Sequence, residues 1–226
     1  MAIFVMGDTH LSLGASKPMD VFSGWEGYLE KLESNWRKLV GPEDTVVING
    51  DVSWAMKLED TRADFAFLDS LPGKKLLMKG NHDYWWTTMK KMETYLADQG
   101  FSSLGFLFNN ARLVEGVWLC GTRGWMFDQG EVHDRKVIDR ETGRLRLSLS
   151  AAQGEEEKVC FLHYPPIFGT SSTPEILEVM KEYGVRRCYY GHLHGKSIHY
   201  GVQGEVDGIQ YRLTSADGLG FCPLKI

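Results

Sequence analysis

Short apolar runs alternate with amphipathic segments along the first hundred residues, and each run stops abruptly at a polar cluster. "AIFVMGD" (2–8), "TVVINGD" (45–51) and "KLLMKGNHD" (75–83) are continuous apolar stretches of strand length, the pattern of strands covered on both faces. Between them, "WEGYLEKLESNWRKLV" (25–40) places Trp25, Leu29, Leu32, Trp36 and Leu39 at helical spacing and stops at Gly41-Pro42. "LEDTRADFAFLDSL" (58–71), closed by Pro72-Gly73, and "WWTTMKKMETYLADQG" (85–100) predict two more helices. The repeating strand–helix order predicts parallel strands joined by right-handed crossovers.

The pattern changes after residue 105. "FLFNNARLVEGVWLCGT" (106–122) predicts hairpins, and 122–155 is the least regular stretch, a possible cap. Within it, "RGWMFDQGEVHDRKVIDRE" reads as a loop, whereas "RLRLSLSAAQG" fits a helix or an alternating strand. "KVCFLHYPP" (158–166) and "RRCYYGHLHG" (186–195) predict further strands on either side of "TPEILEVMKEYG", a helix with Thr173 as N-cap and Pro174 at N1. The last thirty residues suggest a β-meander. With no repeat or linker, residues 1–226 read as one domain.

Five predicted strands thus end in residues of metal-binding type: Asp8 and His10; Asp51; Asn81, His82 and Asp83; His163; His192 and His194. Five of the seven histidines lie at these ends, and only His133 and His199 do not. In α/β sheets ligands collect beyond the carboxyl ends of the strands, so distant segments would converge there. Imidazoles, carboxylates and an amide oxygen without thiolate suit Mn²⁺, Fe or Zn²⁺ better than Ca²⁺. Seven candidate ligands exceed what one four-coordinate ion takes and suit two ions sharing a carboxylate. His192 and His194, one residue apart in an extended chain, would point to one face, and each could reach a different ion.

Composition narrows the partners. A net charge of −5 and no long basic run argue against a nucleic-acid backbone as the main partner. No apolar run reaches the roughly 20 residues of a membrane helix, and "MAIFVMGDTH" is not patterned as a signal peptide. A cytoplasmic location is expected. The four cysteines form no C-x-x-C pair and read as free buried thiols.

"GDTH", "GD" at 50–51, "GNHD", "HYPP" and "GHLHG", in this order, resemble the motif set of the calcineurin-like metallophosphoesterases. The resemblance implies a four-layer α/β/β/α sandwich of two mixed sheets. It implies that Asp8, His10 and His194 hold one divalent metal, that Asn81, His163 and His192 hold the other, and that Asp51 bridges them. A metal-bridging hydroxide would attack the phosphorus of a small or medium phosphate mono- or diester. His82 would assist the leaving group, with Asp83 as a weaker candidate to orient it. Two departures stand out. Ser53-Trp54 follows the second Gly-Asp where many relatives carry an acid. Tyr84-Trp85-Trp86 replaces the phosphate-clamping arginine of the protein phosphatases, and Arg123 is a candidate substitute or an ordinary salt-bridge residue. Trp85 and Trp86 could pack at the helix start or wall the cleft; Trp125 and Phe127 could cap it. The alternatives are a nuclease of this fold and a non-catalytic scaffold.

Overall fold

The computed structural model describes residues 1–126 and 135–226. The strand–helix alternation produces β1 (Ile3–Val5), α1 (Tyr28–Leu39), β2 (Thr45–Ile48), α2 (Arg62–Ser70), β3 (Lys74–Leu77), α3 (Met89–Gln99) and β4 (Leu104–Phe106). The four strands are parallel neighbours in the order β1-β2-β3-β4. α1 turns Tyr28, Leu32 and Trp36 inward, while Leu39 at its end is exposed. Trp25 precedes the helix yet is buried. α3 starts at Met89, after the tryptophan pair, with the Thr88 hydroxyl accepting from the Lys91 N–H and a left-handed Gly100 closing it.

β5 (Ala111–Val114) and β6 (Val117–Thr122) form the expected hairpin. The segment expected to be irregular contains a seventeen-residue helix, α4 (Arg135–Ala151). Then follow β7 (Glu157–Leu162), the short β8 (Ile167–Phe168) and β9 (Ser171–Ser172), α5 (Pro174–Glu182) and β10 (Arg187–Tyr190). Thr173 is the N-cap of α5 by position, but its hydroxyl donates to the Trp125 carbonyl instead. β11 (Gly204–Val206), β12 (Ile209–Leu213) and β13 (Leu224–Lys225) end the chain.

These last strands do not form a meander. β11 and β12 pair antiparallel, but β12 then lies parallel to β10, and β13 crosses to pair antiparallel with β1. The second sheet runs β11-β12-β10-β7-β6-β5, with four central parallel strands and an antiparallel strand at each edge. Ile3, Val5, Val47 and Met78 of the first sheet meet Leu119, Val159, Phe161 and Tyr189 of the second in one cluster. The alternate residues Phe4, Val46 and Ile48 face α1–α3, while Cys160, Leu162, Cys188 and Tyr190 face α4 and α5. This is the four-layer α/β/β/α sandwich, and it explains the continuous apolar runs: every central strand is covered on both faces. Cys120, Cys160 and Cys188 are buried free thiols within it.

Candidate metal centre

The two sheets are joined where the parallel strands end. The Gly7 N–H donates to the Thr214 carbonyl at 2.8 Å and the Ala216 N–H to Gly7 at 3.0 Å. Asn49 bridges the sheets, its amide donating to the Leu162 carbonyl at 2.9 Å and accepting from the Thr214 hydroxyl at 3.1 Å. The residues following β1, β2, β3, β7 and β10 are thereby brought to one place.

Asp8, His10 and His194 form one group and Asp51, His163 and His192 another; within each, one donor atom per residue lies within 4.8 Å of the others. His194 Nε2 is 3.4 Å from Asp8 Oδ1 and 3.3 Å from His10 Nε2. Asn81 Oδ1 sits 2.6 Å from His163 Nε2 and 2.9 Å from His192 Nδ1, in the second group. Asp51 Oδ2 lies between the groups, 3.5 Å from His163 Nε2 and 3.7 Å from His10 Nε2. All seven residues predicted as ligands are therefore together. His82 adjoins them: its N–H donates to Asp51 Oδ1 at 2.8 Å, and its ring is 5.8 Å from that of His10.

Glycines in the motifs make these approaches possible. A Cβ on Gly191 would fall 2.3 Å from Asp8 Oδ2, where the carboxylate instead accepts the His192 N–H. A Cβ on Gly80 would fall 2.0 Å from Asp51 Oδ1. The pairing of His192 and His194 is achieved differently from the expectation. His192 is left-handed at φ 74°, so the His-x-His step is not extended, and the kink sends the two rings to different groups.

The site is built for positive charge. Asp8 and Asp51 are both buried. Burial, then the charge of Asp8, pushes Asp51 up to about 8. Burial lowers His10 to about 3. Against burial, hydrogen bonds to Asp217 and Asp8 raise His194 to about 10. His194 Nδ1 engages Asp217 Oδ1 at 2.9 Å, and the other Asp217 oxygen accepts the Gly195 N–H. Without a metal, a proton on His194 Nε2 answers the Asp8 carboxylate; with Nδ1 held by Asp217, Nε2 is the nitrogen that could give its lone pair to a cation in that proton's place. Imidazole nitrogens, carboxylates and the Asn81 oxygen fit divalent cations in both groups.

Asp217 is the residue sequence reasoning missed. Its signal was its place four residues beyond β12, a parallel neighbour of β10. Asp83, expected beside the His82 ring, is 1% exposed and turned elsewhere. It accepts from the N–H groups of Val52 (2.9 Å), Ser53 (3.2 Å) and Gly80 (2.7 Å) and from Trp85 Nε1 (3.0 Å). Four donors to one carboxylate tie the loops after β2 and β3 together; His82 Nδ1 instead faces the Tyr84 hydroxyl at 3.5 Å. Trp85 is buried against Phe65 and the half-buried Trp86 packs on Phe106; both line a groove along α3, and neither lines the space beside the first donor group. Arg123 lies against the buried Glu141 at 3.6 Å and over the ring of Trp125, a salt bridge rather than a clamp reaching the ligands. His199 is exposed, as expected; His133 and Phe127 lie outside the described residues.

Similar architecture occurs in a protein of unknown function from Aquifex aeolicus, AQ665, at 15% identity, with 99% of this chain and 95% of that one covered and a TM-score of 0.54. The phosphopantetheinyl hydrolase of Mycobacterium tuberculosis matches at 15% identity, 95% and 88% coverage and a TM-score of 0.57. TT1561 of Thermus thermophilus matches at 14% identity, 92% and 86% coverage and a TM-score of 0.56. At such identities the likeness is one of fold. No curated protein matches the sequence. Residues 1–196, which carry all seven converging side chains, match the calcineurin-like phosphoesterase family. With the motifs on their strand ends and the donors in two groups, the chain belongs to that family.

Proposed function

We propose that this chain hydrolyses phosphate esters, mono- or diesters, with two divalent cations bound. The observation that carries the reading is the shared carboxylate: Asp51 Oδ2 stands between the two donor groups, 3.5 Å from His163 Nε2 and 3.7 Å from His10 Nε2. Asp8, His10 and His194 would hold one cation, and Asn81, His163 and His192 the other. The donor set favours Mn²⁺, Fe or Zn²⁺. Bound there, such cations supply a nucleophile from water near neutral pH and neutralise the phosphoryl oxygens. The chain's own residues do the rest. Asp217 holds the His194 ring in place. Asp83 holds the loop that presents Asn81 and His82. The half-buried His82 ring would stand at the leaving oxygen to hydrogen-bond or protonate it; burial lowers its pKa. The Tyr84 hydroxyl faces the other side of that ring.

Metal-stripped protein reloaded with Mn²⁺, Fe²⁺ or Zn²⁺ and tested on aryl phosphate, aryl phosphodiester, cyclic nucleotide and phosphopeptide examines this reading. Asp51→Asn is expected to abolish every activity together with metal binding. His82→Ala is expected to lower kcat by about 10²–10⁴ with metal content near wild type. Loss of both metals from His82→Ala would refute the division of roles.

A further inference from the structure

A slot of about 360 Å³ opens beside the first donor group. Its polar lining is His10, His82, His194, Asp217 and the exposed Ser23; its apolar lining is Met19, Phe22, Trp25 and Trp54. A larger groove of about 890 Å³ runs along α3, but its lining includes none of the candidate metal ligands.

Resting on the phosphoesterase reading above, we infer that this slot receives the leaving group, and that the preferred substrates are phosphate esters of an uncharged, apolar alcohol, aromatic ones above all. The position of His82 sets the direction. A phosphoryl group held between the donor groups, with its ester oxygen turned to His82, projects the rest of the molecule into the slot that His82 also lines. The slot's volume, at the lower end of small-ligand sites of about 300–1,000 Å³, suits a ring with a short tether.

The walls select against charge. Asp217 is the carboxylate among them, and its oxygens are occupied by His194 and Gly195. A second anionic group on the substrate would meet that charge, and no Lys or Arg is among the lining residues. Lys17, outside that lining, is set over the Trp54 ring with Nζ 3.4 Å from its centre. His10 stacks on Trp54 at 4.8 Å, 19° from parallel. With Lys17 over its ring, the His10 ring stacked on it and the His82 ring 4.5 Å away, Trp54 is left to meet an aromatic guest at its edge, an arrangement aromatic pairs favour. Trp54 Nε1 is directed at the Met19 sulfur, 3.2 Å away, which leaves the wall without a free donor there. Phe22, 55% exposed, is the lining aromatic with the most surface for an apolar guest to cover.

The test is calorimetric, on Mn²⁺-loaded protein, with 3-phenylpropylphosphonate and 2,3-dihydroxypropylphosphonate as uncleavable probes. Burying the phenyl group is expected to give about 30-fold tighter binding. Phe22→Ser, at a half-exposed position whose replacement leaves the core intact, is expected to cut that preference to about fivefold or less. Equal affinities for the two probes, or a preference unmoved by Phe22→Ser, would overturn the inference. Hydrolysis of 3-phenylpropyl phosphate, glycerol 3-phosphate and their methyl diesters is measured alongside, because both alcohols leave as alkoxides of similar basicity. Selective binding of the phenyl probe with neither these monoesters nor their methyl diesters cleaved leaves the slot standing and removes the phosphoesterase reading; cleavage of both alcohols' esters at equal kcat/KM removes the slot.

Discussion

Replacing Asp83 by asparagine changes one atom and should loosen the whole site. Four N–H donors and no acceptor converge on the Asp83 carboxylate, three on Oδ1 and one, from Gly80 at 2.7 Å, on Oδ2. Burial, then the charge of Asp51, pushes Asp83 up to about 7, opposed by the hydrogen bonds from Gly80 and Ser53. A protonated acid would set its own O–H against an N–H, so these donors fix it as the carboxylate. The amide keeps one acceptor oxygen for the three-donor side and turns an NH₂ toward Gly80. One charge-assisted bond, worth about 1.5–3 kcal/mol, is lost, and a buried donor is left unpaired at about 1–3 kcal/mol. A total near 3 kcal/mol corresponds to a Tm lower by about 6–12 °C in a chain of this size. Calorimetric melting in chelator isolates this effect, since bound cations would add their own stabilisation. Because Gly80 leads into Asn81 and His82, and Val52 follows Asp51, the same variant should bind Mn²⁺ more weakly. An unchanged Tm and unchanged metal affinity would refute the positioning role. So would loss of turnover with both quantities intact, which would return Asp83 to the reaction itself.

Two further outcomes follow from the same geometry. Asp217→Asn removes the charge that orients His194, and metal affinity at the first group should fall about 10–100-fold in a chelator-competition titration; an unchanged affinity would mean the His194–Asp217 contact is incidental. Gly80→Ala sets a Cβ 2.0 Å from Asp51 Oδ1 and 2.3 Å from its N, so Asp51 must move; elemental analysis should find less than half the wild-type metal, and full occupancy would contradict the close approach.

What the sequence made legible was governed by burial on two faces. β1, β2, β3, β7 and β10 are covered by a sheet on one side and helices on the other, so each is an unbroken apolar run, and the polar residue that ends it is conspicuous. α4 was half legible, its second half fitting a helix or a strand and its first half reading as a loop, because two of its inward positions are polar. It buries Ile138, Glu141, Leu145, Ser148 and Leu149, at helical spacing. Glu141 accepts from the Thr122 hydroxyl, and Ser148 from the Gly121 N–H while donating to the Asn110 carbonyl, so neither reads as a core residue. The kink at His192 and the return of β13 to the first sheet depend on contacts with Asp8 and β1, nearly the whole chain away. No local pattern encodes such contacts.

The backbone of the site adds a last argument. Asp8, His10, Asp51 and His192 have φ of 58°, 44°, 50° and 74°, in the left-handed region that costs a side-chain-bearing residue about 1–2 kcal/mol each. Long-range bonds hold them there, including Asp8 N–H to the Gly50 carbonyl at 2.8 Å and His10 N–H to that of Asp51 at 2.9 Å. Folding alone would be served better by other residues, since asparagine tolerates this conformation and carries no charge into the buried space shared by Asp8 and Asp51. Asp51→Asn should therefore separate stability from function. Its Oδ1 still accepts the His82 N–H, and the change removes one of the two carboxylates from the buried space shared with Asp8. In chelator the variant should melt no lower than the wild type. With Mn²⁺ present, only the wild type should gain stability, because only it binds the ions to its folded state. A variant that melts several degrees lower without metal would show that the carboxylate supports the fold, and the assignment of Asp51 as an anion kept for cations would fail.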